Sequence, residues 1–160
     1  AQWSIQAPPD KIVLLTFGGL GLAQIPYETL QDFPDWQFMS FDSNAPDQPN
    51  LLKVRDKRYR PVDVMPLCGR IISKPGYGTF AEACRLGIPI TTLTREGFAE
   101  SPLLIHGLRQ YNAHQVIAPE AFFAGDWGFL RERPTPPLTE QVLDRDGNGA
   151  IAQAVIDYLT

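Results

Sequence analysis

SKPGYGTFAEACRLGIPI, Ser73 to Ile90, sets a Gly-x-Gly-Thr turn, a short helix and a stop signal side by side. Gly76 and Gly78 let the backbone turn tightly and approach a ligand closely. The spacing predicts a helix over Thr79–Leu86, closed by Gly87 and Pro89. RIIS before it (Arg70–Ser73) reads as a strand, and PITTLT after it (Pro89–Thr94) as the next one. Two readings of the turn stand open. A helix start exposes unpaired N–H groups and a partial positive charge, which suits a phosphate. Thr79-x-x-Glu82 is equally a capping box, in which Glu82 only folds back to the helix start.

The same grammar repeats on either side. KIVLLTF (Lys11–Phe17) is an apolar run bounded by Pro9 and by Gly18-Gly19, and reads as a strand buried on both faces, as parallel sheets require. A helix is expected from about Pro26 to Phe33, with Pro26 in its first turn. WQFMSF (Trp36–Phe41) and the weaker LLKVR (Leu51–Arg55) read as strands. VDVMPLC (Val62–Cys68) reads as a short helix broken at Pro66. SPLLIHGLRQY (Ser101–Tyr111) reads as a helix capped by Ser101, and HQVIA (His114–Ala118) as a last strand. RPTPPL (Arg133–Leu138) is an extended connector to a final helix over Gly149–Leu159, apolar at Ile151, Val155, Ile156 and Leu159.

Strands alternating with helices predict an α/β, Rossmann-like domain with a doubly wound, mostly parallel sheet of about six strands. Such sheets bind ligands outside the carboxyl ends of their strands, where the strand order reverses. The loops after Phe17, Ser73 and Thr94 therefore carry the functional weight. TFGGLG (Thr16–Gly21) is a second glycine turn between a strand and a helix. Two such turns facing one crevice would enclose a diphosphate. A rival reading takes Gly19-x-Gly21 with Asp42 as a dinucleotide fingerprint, Asp42 holding a ribose. Against it, the third position is Gln24 rather than Gly or Ala.

The totals bound the rest. The 160 residues are 44% hydrophobic and 20% charged, which suits one domain with a real core. A net charge of -4 gives no general electrostatic case for nucleic acid or an anionic membrane. No apolar run approaches the ~20 residues of a membrane span. AQWSIQAPPD, residues 1–10, has neither a basic start nor an apolar stretch, so it reads as a linker or lead-in rather than a secretory leader. The two cysteines, Cys68 and Cys84, read as small apolar residues without partners at ligand spacing, and a reducing, cytoplasmic setting fits them.

With these residues in view, the chain resembles the C-terminal, donor-binding domain of GT-B glycosyltransferases. The resemblance rests on the Gly-Gly strand end, on Ser-Lys-Pro-Gly-Tyr-Gly-Thr-x-x-Glu-Ala, on Gly-Ile-Pro and on an acidic loop. The N-acetylglucosaminyltransferases that form lipid II are similar. So is the glycosyltransferase-like half of plant arabinokinases, through GYGTFAEA (Gly76–Ala83) and REGFAESPLL (Arg95–Leu104). The resemblance runs from about Lys11 to Leu159 and is specific in Gly76–Pro89.

It implies one half of a GT-B fold, with residues 1–160 forming a single nucleotide-sugar donor domain. An N-terminal acceptor domain would complete the protein. Gly18, Gly19, Gly76, Gly78 and Thr79 would face the donor diphosphate. Glu82 would bind ribose hydroxyls, since one carboxylate accepts from two vicinal hydroxyls. Glu96 and Glu100, on the loop after the next strand, would meet the sugar, although the usual Asp-Gln or Glu-Asn pair is replaced. The substrate would be a nucleoside diphosphate-sugar, expected to be a UDP-sugar, with no metal or other cofactor. No residue stands out as a catalytic base, and the 160-residue chain is expected to be inactive alone. A non-catalytic nucleotide-sugar-binding or regulatory module is the alternative, and a dinucleotide-binding domain a more distant one.

Several other features read as structure. His106 and His114 lie in a helix and at a strand start. Asp144-x-Asp146-x-Asn148-Gly149 opens like a calcium loop, but its twelfth position is Val155, so it reads as a turn capping the last helix at Asn148 or nearby. Lys53, Arg55, Lys57, Arg58 and Arg60 read as a solvated basic loop. Phe122, Phe123 and Trp127 read as core.

Overall fold

The computed structural model describes residues 4–17, 25–141, 143–144 and 146–159. Six parallel strands make one sheet: β1 (Ile12–Thr16), β2 (Gln37–Ser40), β3 (Leu51–Lys53), β4 (Arg70–Ser73), β5 (Ile90–Leu93) and β6 (His114–Ile117). The helices are α1 (Pro61–Val64), α2 (Tyr77–Leu86), α3 (Ser101–Tyr111), α4 (Pro119–Phe123) and α5 (Gly147–Leu159). The strand order is β3-β2-β1-β4-β5-β6. The chain winds outward from β1 to β3, then crosses back to β4 and winds the other way. The order therefore reverses between β1 and β4, which is the crevice position of doubly wound folds.

Alternation along the strands builds two cores. Val13, Leu15 and Ile72 face a layer with Leu30, Phe122, Trp127 and Leu130. Ile12, Leu14 and Ile71 face Phe80 and Ala83 of α2 and Leu108 of α3. The first core is aromatic: Trp127 stacks on Phe122 at 4.9 Å, and its ring N–H donates to the Phe122 carbonyl at 3.0 Å. Phe122 and Trp127 are buried, as the sequence reading expected. Arg70, buried at the amino end of β4, donates to Gln115 Oε1 and to the carbonyls of Phe129 and Glu132, and so pins the chain after α4 to the sheet.

Local signals hold at the stops and slip at the starts. α2 ends at Gly87, whose φ of 70° is left-handed, and Ile88 N–H bonds Ala83 O at 3.0 Å. Glycine suits that conformation because it has no Cβ to clash. The segment expected as a helix from Pro26 is a 3₁₀ turn, Tyr27–Asp32, with Pro26 just before it. Ser101 does not cap α3: it is the first helical residue and is buried, and Glu100 holds the cap position without a side-chain bond. α5 is capped near Asn148, as expected, but by Asp146, whose carboxylate accepts from Gly149 N–H at 2.9 Å. A residue type that can cap occupies all three stretches, and only backbone geometry decides which one does.

α5 carries no buried side chain, and Ile151, Val155, Ile156, Tyr158 and Leu159 are exposed. Among the described residues no helix is long and apolar enough to cross a membrane.

Candidate nucleotide-binding crevice

β1 and β4 end at paired residues, Thr16 beside Ser73, and β5 ends at Leu93, one residue beyond Thr92, which pairs with Ser73. The three loops that follow lie at the carboxyl end of the sheet. Gly18 and Gly19, on the first loop, lie outside the described residues.

The second loop is set differently from the sequence reading. α2 begins at Tyr77, two residues before Thr79, and Gly76 is its N-cap, with extended backbone at φ −164°. Thr79 is thus the third helical residue and cannot be the cap of a Thr79–Glu82 box. Gly76 donates no side chain to the helix start, so the first N–H groups of α2 have no side-chain acceptor. Neither Gly76 nor Gly78 has a positive φ. Among the described residues, a Cβ at Gly78 would meet nothing within 4 Å, and one at Gly76 only Lys74 O at 3.9 Å. These two glycines are not required by the fold itself. Among the described residues, nothing crowds the place a side chain would take at either.

Thr79 and Glu82 are three residues apart on α2 and share a face. Both are half-buried. Glu82 makes no hydrogen bond or ion pair among the described residues.

Ser73 is the last residue of β4 and is fully buried. Its hydroxyl has no hydrogen-bond partner among the described residues. Strand alternation puts it on the same face as Ile71, which packs in the core with Phe80 and Ala83 of α2. The hydroxyl therefore stands on the α2 side of the sheet, at the end where α2 begins. Lys74 follows, half-buried. Burial, and secondly the positive charge of Arg95, hold its ammonium below the usual lysine value. Arg95 lies just beyond β5, with its guanidinium 4.6 Å above the Phe98 ring. Glu96 and Glu100 share that loop and are exposed. Lys74 and Arg95 escaped the sequence reading. The signal for them is a cation within two residues of each of two neighbouring strand ends.

Asp42, the rival ribose ligand, is occupied. Its carboxylate accepts from the Tyr27 hydroxyl at 3.0 Å and from Asn44 N–H at 2.8 Å. The Tyr27 hydroxyl also lies 3.3 Å from Ser40 Oγ. Burial first of all, with Asp42 adding to it and Ser40 opposing, pushes the Tyr27 phenol up to about 12.

The remaining candidates take structural places. His114 is buried with Nδ1 3.0 Å from Asn112 O, and His106 is exposed. Both cysteines are free, and burial pushes the Cys68 thiol up to about 12. In the basic run, Lys53 pairs with Asp47, Arg58 with Asp56 and Arg60 with Asp63. Asp146 and Asp144 hold the α5 start between them, Asp146 N–H donating to Asp144 Oδ1 at 2.8 Å. An apolar groove of about 430 Å³ runs between α2 and α3 past Phe80, Leu104 and Tyr111, and none of the residues singled out for the diphosphate, ribose or sugar lines it.

No family model matches the chain. An L-arabinokinase of Arabidopsis thaliana is 29% identical over 85 residues, which are 53% of this chain and 8% of that one. Two solved glycosyltransferases share the fold. SnogD from Streptomyces nogalater is matched over 97% of this chain and 46% of its own, at a TM-score of 0.57 and 16% identity. The glycotransferase of kitacinnamycin is matched over 82% and 38%, at 0.55 and 17%. This chain thus spans less than half the length of each solved relative and a small part of the arabinokinase. In fold it is a glycosyltransferase-like α/β domain, as the resemblance in its sequence implied.

Proposed function

We propose that the chain is the donor-binding domain of a glycosyltransferase, taking a nucleoside diphosphate-sugar, specifically a UDP-sugar, in the crevice between β1 and β4. The observation that carries this reading is the reversal of strand order between those two strands, with the uncapped start of α2 and the unpartnered Glu82 beside it. The first N–H groups of α2 point along the helix axis toward the crevice and bring a partial positive charge there. As the bond from sugar to diphosphate breaks, negative charge collects on the leaving phosphate, and donors already in place lower the energy of that state. Glu82 takes the two ribose hydroxyls, and Glu96 and Glu100 are placed to meet the sugar. The acceptor site belongs to a further domain N-terminal to this one. The 160 residues alone bind donor and transfer little.

Glu82→Gln tests the reading. Glu82 caps nothing, so the melting temperature should not change. Hydrogen bonds to a charged acceptor are worth about 1.5–3 kcal/mol against roughly 1 for a neutral one, so UDP affinity should fall about tenfold in calorimetry. A UDP analogue without ribose hydroxyls should bind both proteins alike. Unchanged UDP affinity in the variant would refute the role of Glu82. A wild type that binds NADH more tightly than UDP would refute the nucleotide class.

A further inference from the structure

The loop after β5 carries a cation where the resemblance leads one to expect only sugar-binding acids. We propose that this loop is a phosphate-holding arm, in which Arg95, together with Lys74 and the Ser73 hydroxyl, grips the anionic end of the ligand at the start of α2. The proposal deepens the nucleotide reading, but it concerns charge alone and can be tested apart from it.

Three independent features converge. The first is the Ser73 hydroxyl, fully buried and without a partner among the described residues. Buried hydroxyls are nearly always paired, so an orphan at a strand end, beneath a helix start with free N–H groups, marks the place of a missing acceptor. A phosphate oxygen supplies one.

The second is the approach of two like charges. Lys74 follows the last residue of β4 and Arg95 lies two residues beyond the neighbouring β5, at the same end of the sheet, and the Lys74 ammonium is held below its usual value by burial first and by the Arg95 charge second. Like charges brought together and partly withdrawn from water repel, and an anion between them reverses that term.

The third is how Arg95 is held. No carboxylate pairs with it among the described residues, although Glu96 is its neighbour in the chain. Instead Gly97, at φ 70°, turns the backbone and Phe98 presents its ring 4.6 Å from the guanidinium. Stacking on a ring leaves the planar fork of N–H donors unspent, so the side chain is positioned yet keeps its capacity for a bidentate phosphate contact. At the start of α2, Gly76 and Gly78 carry no side chain to obstruct an anion's approach to the helix.

Calorimetry on the 160-residue chain with inorganic pyrophosphate, UDP and uridine decides the matter. The variants are Arg95→Ala, Phe98→Leu and, as a remote change of equal charge at the far end of α2, Arg85→Ala. Arg95→Ala should weaken pyrophosphate and UDP alike, by roughly tenfold for a lost charge-assisted contact, and leave uridine unaffected. Phe98→Leu should give a smaller loss of the same pattern, because the cation remains but is unmoored. Arg85→Ala should bind as wild type. Pyrophosphate and UDP binding unchanged in Arg95→Ala overturns the proposal. So does an equal loss in Arg85→Ala, which would make the effect one of net charge, and so does a wild type that binds neither anion. If pyrophosphate depends on Arg95 while UDP binds no better than pyrophosphate, the phosphate arm stands and the nucleotide reading falls. If UDP binds tightly and Arg95→Ala does not weaken it, the nucleotide reading stands and the arm falls.

Discussion

At the carboxyl end of β2, Tyr27, Ser40 and Asp42 satisfy one another. Two strands away, at the carboxyl end of β4, the Ser73 hydroxyl has no partner among the described residues, and Arg95 on the neighbouring loop stacks on Phe98 instead of pairing with a carboxylate. Both clusters sit where a doubly wound sheet binds its ligands, and both would pass as binding residues in a list of polar types. The difference lies in what each group still lacks. A closed network has already spent its donors and acceptors on the fold, so it adds stability and offers a ligand little. An open one leaves donors such as the Ser73 hydroxyl and the Arg95 guanidinium without partners among the described residues, where a ligand can engage them. Arg70 makes the same point at the other end of the sheet. It is a buried cation satisfied by Gln115 and two carbonyls, and it serves only to fasten the chain.

Tyr27→Phe should produce the largest effect. It strips a buried hydroxyl from a satisfied network, and a loss of roughly 1–3 kcal/mol is expected in denaturant unfolding, with UDP affinity unchanged. The same residue makes a pH prediction. Its phenol is raised from 10.0 to about 12 in the folded chain, so the native state holds the proton longer than the unfolded state does. That contribution is complete below the unfolded value and drains away as pH rises from about 10 through about 12. Wild type should lose stability across that window, and Tyr27→Phe should lose less. A variant that binds UDP poorly but melts normally would break the comparison, since it would move the closed cluster into the site.

Gly78→Ala comes next. Alanine in place of a helical glycine without a positive φ should raise stability by about 0.5–1 kcal/mol. If the space before α2 belongs to a ligand, the added methyl should also weaken UDP. Tighter folding with unchanged affinity would place the ligand elsewhere.

Ser73→Ala should have the smallest effect on folding. Removing a hydroxyl that is unpaired among the described residues should leave stability level or raise it by up to about 1 kcal/mol, whereas Ser40→Ala should lower it. UDP affinity should fall by about three- to tenfold in Ser73→Ala only. Equal losses of stability in the two serine variants would erase the distinction between the clusters.

Sequence alone determined the α/β class, the parallel sheet and most of the strand positions, because short β-branched runs between glycine and proline leave the backbone few alternatives. RIIS is one such run, and it is β4 to the residue. The stop of α2 was legible for the same reason, Gly87 being suited to a left-handed position. The helix starts were not. Thr79, Ser101 and Asn148 all have cap chemistry, yet the caps fall at Gly76, Glu100 and Asp146, because the loop arriving from the sheet decides which N–H groups remain free. Glu82, Gly76 and Gly78 were picked out by type and spacing, but that Glu82 caps nothing, and that the glycines leave room rather than bend the chain, are properties of the folded backbone. Asp42 and Ser73 show the limit most plainly. Each is a polar residue at a strand end, and one is spent while the other is not. That depends on whether a side chain distant in sequence, such as Tyr27, arrives beside it, and only packing in three dimensions determines that.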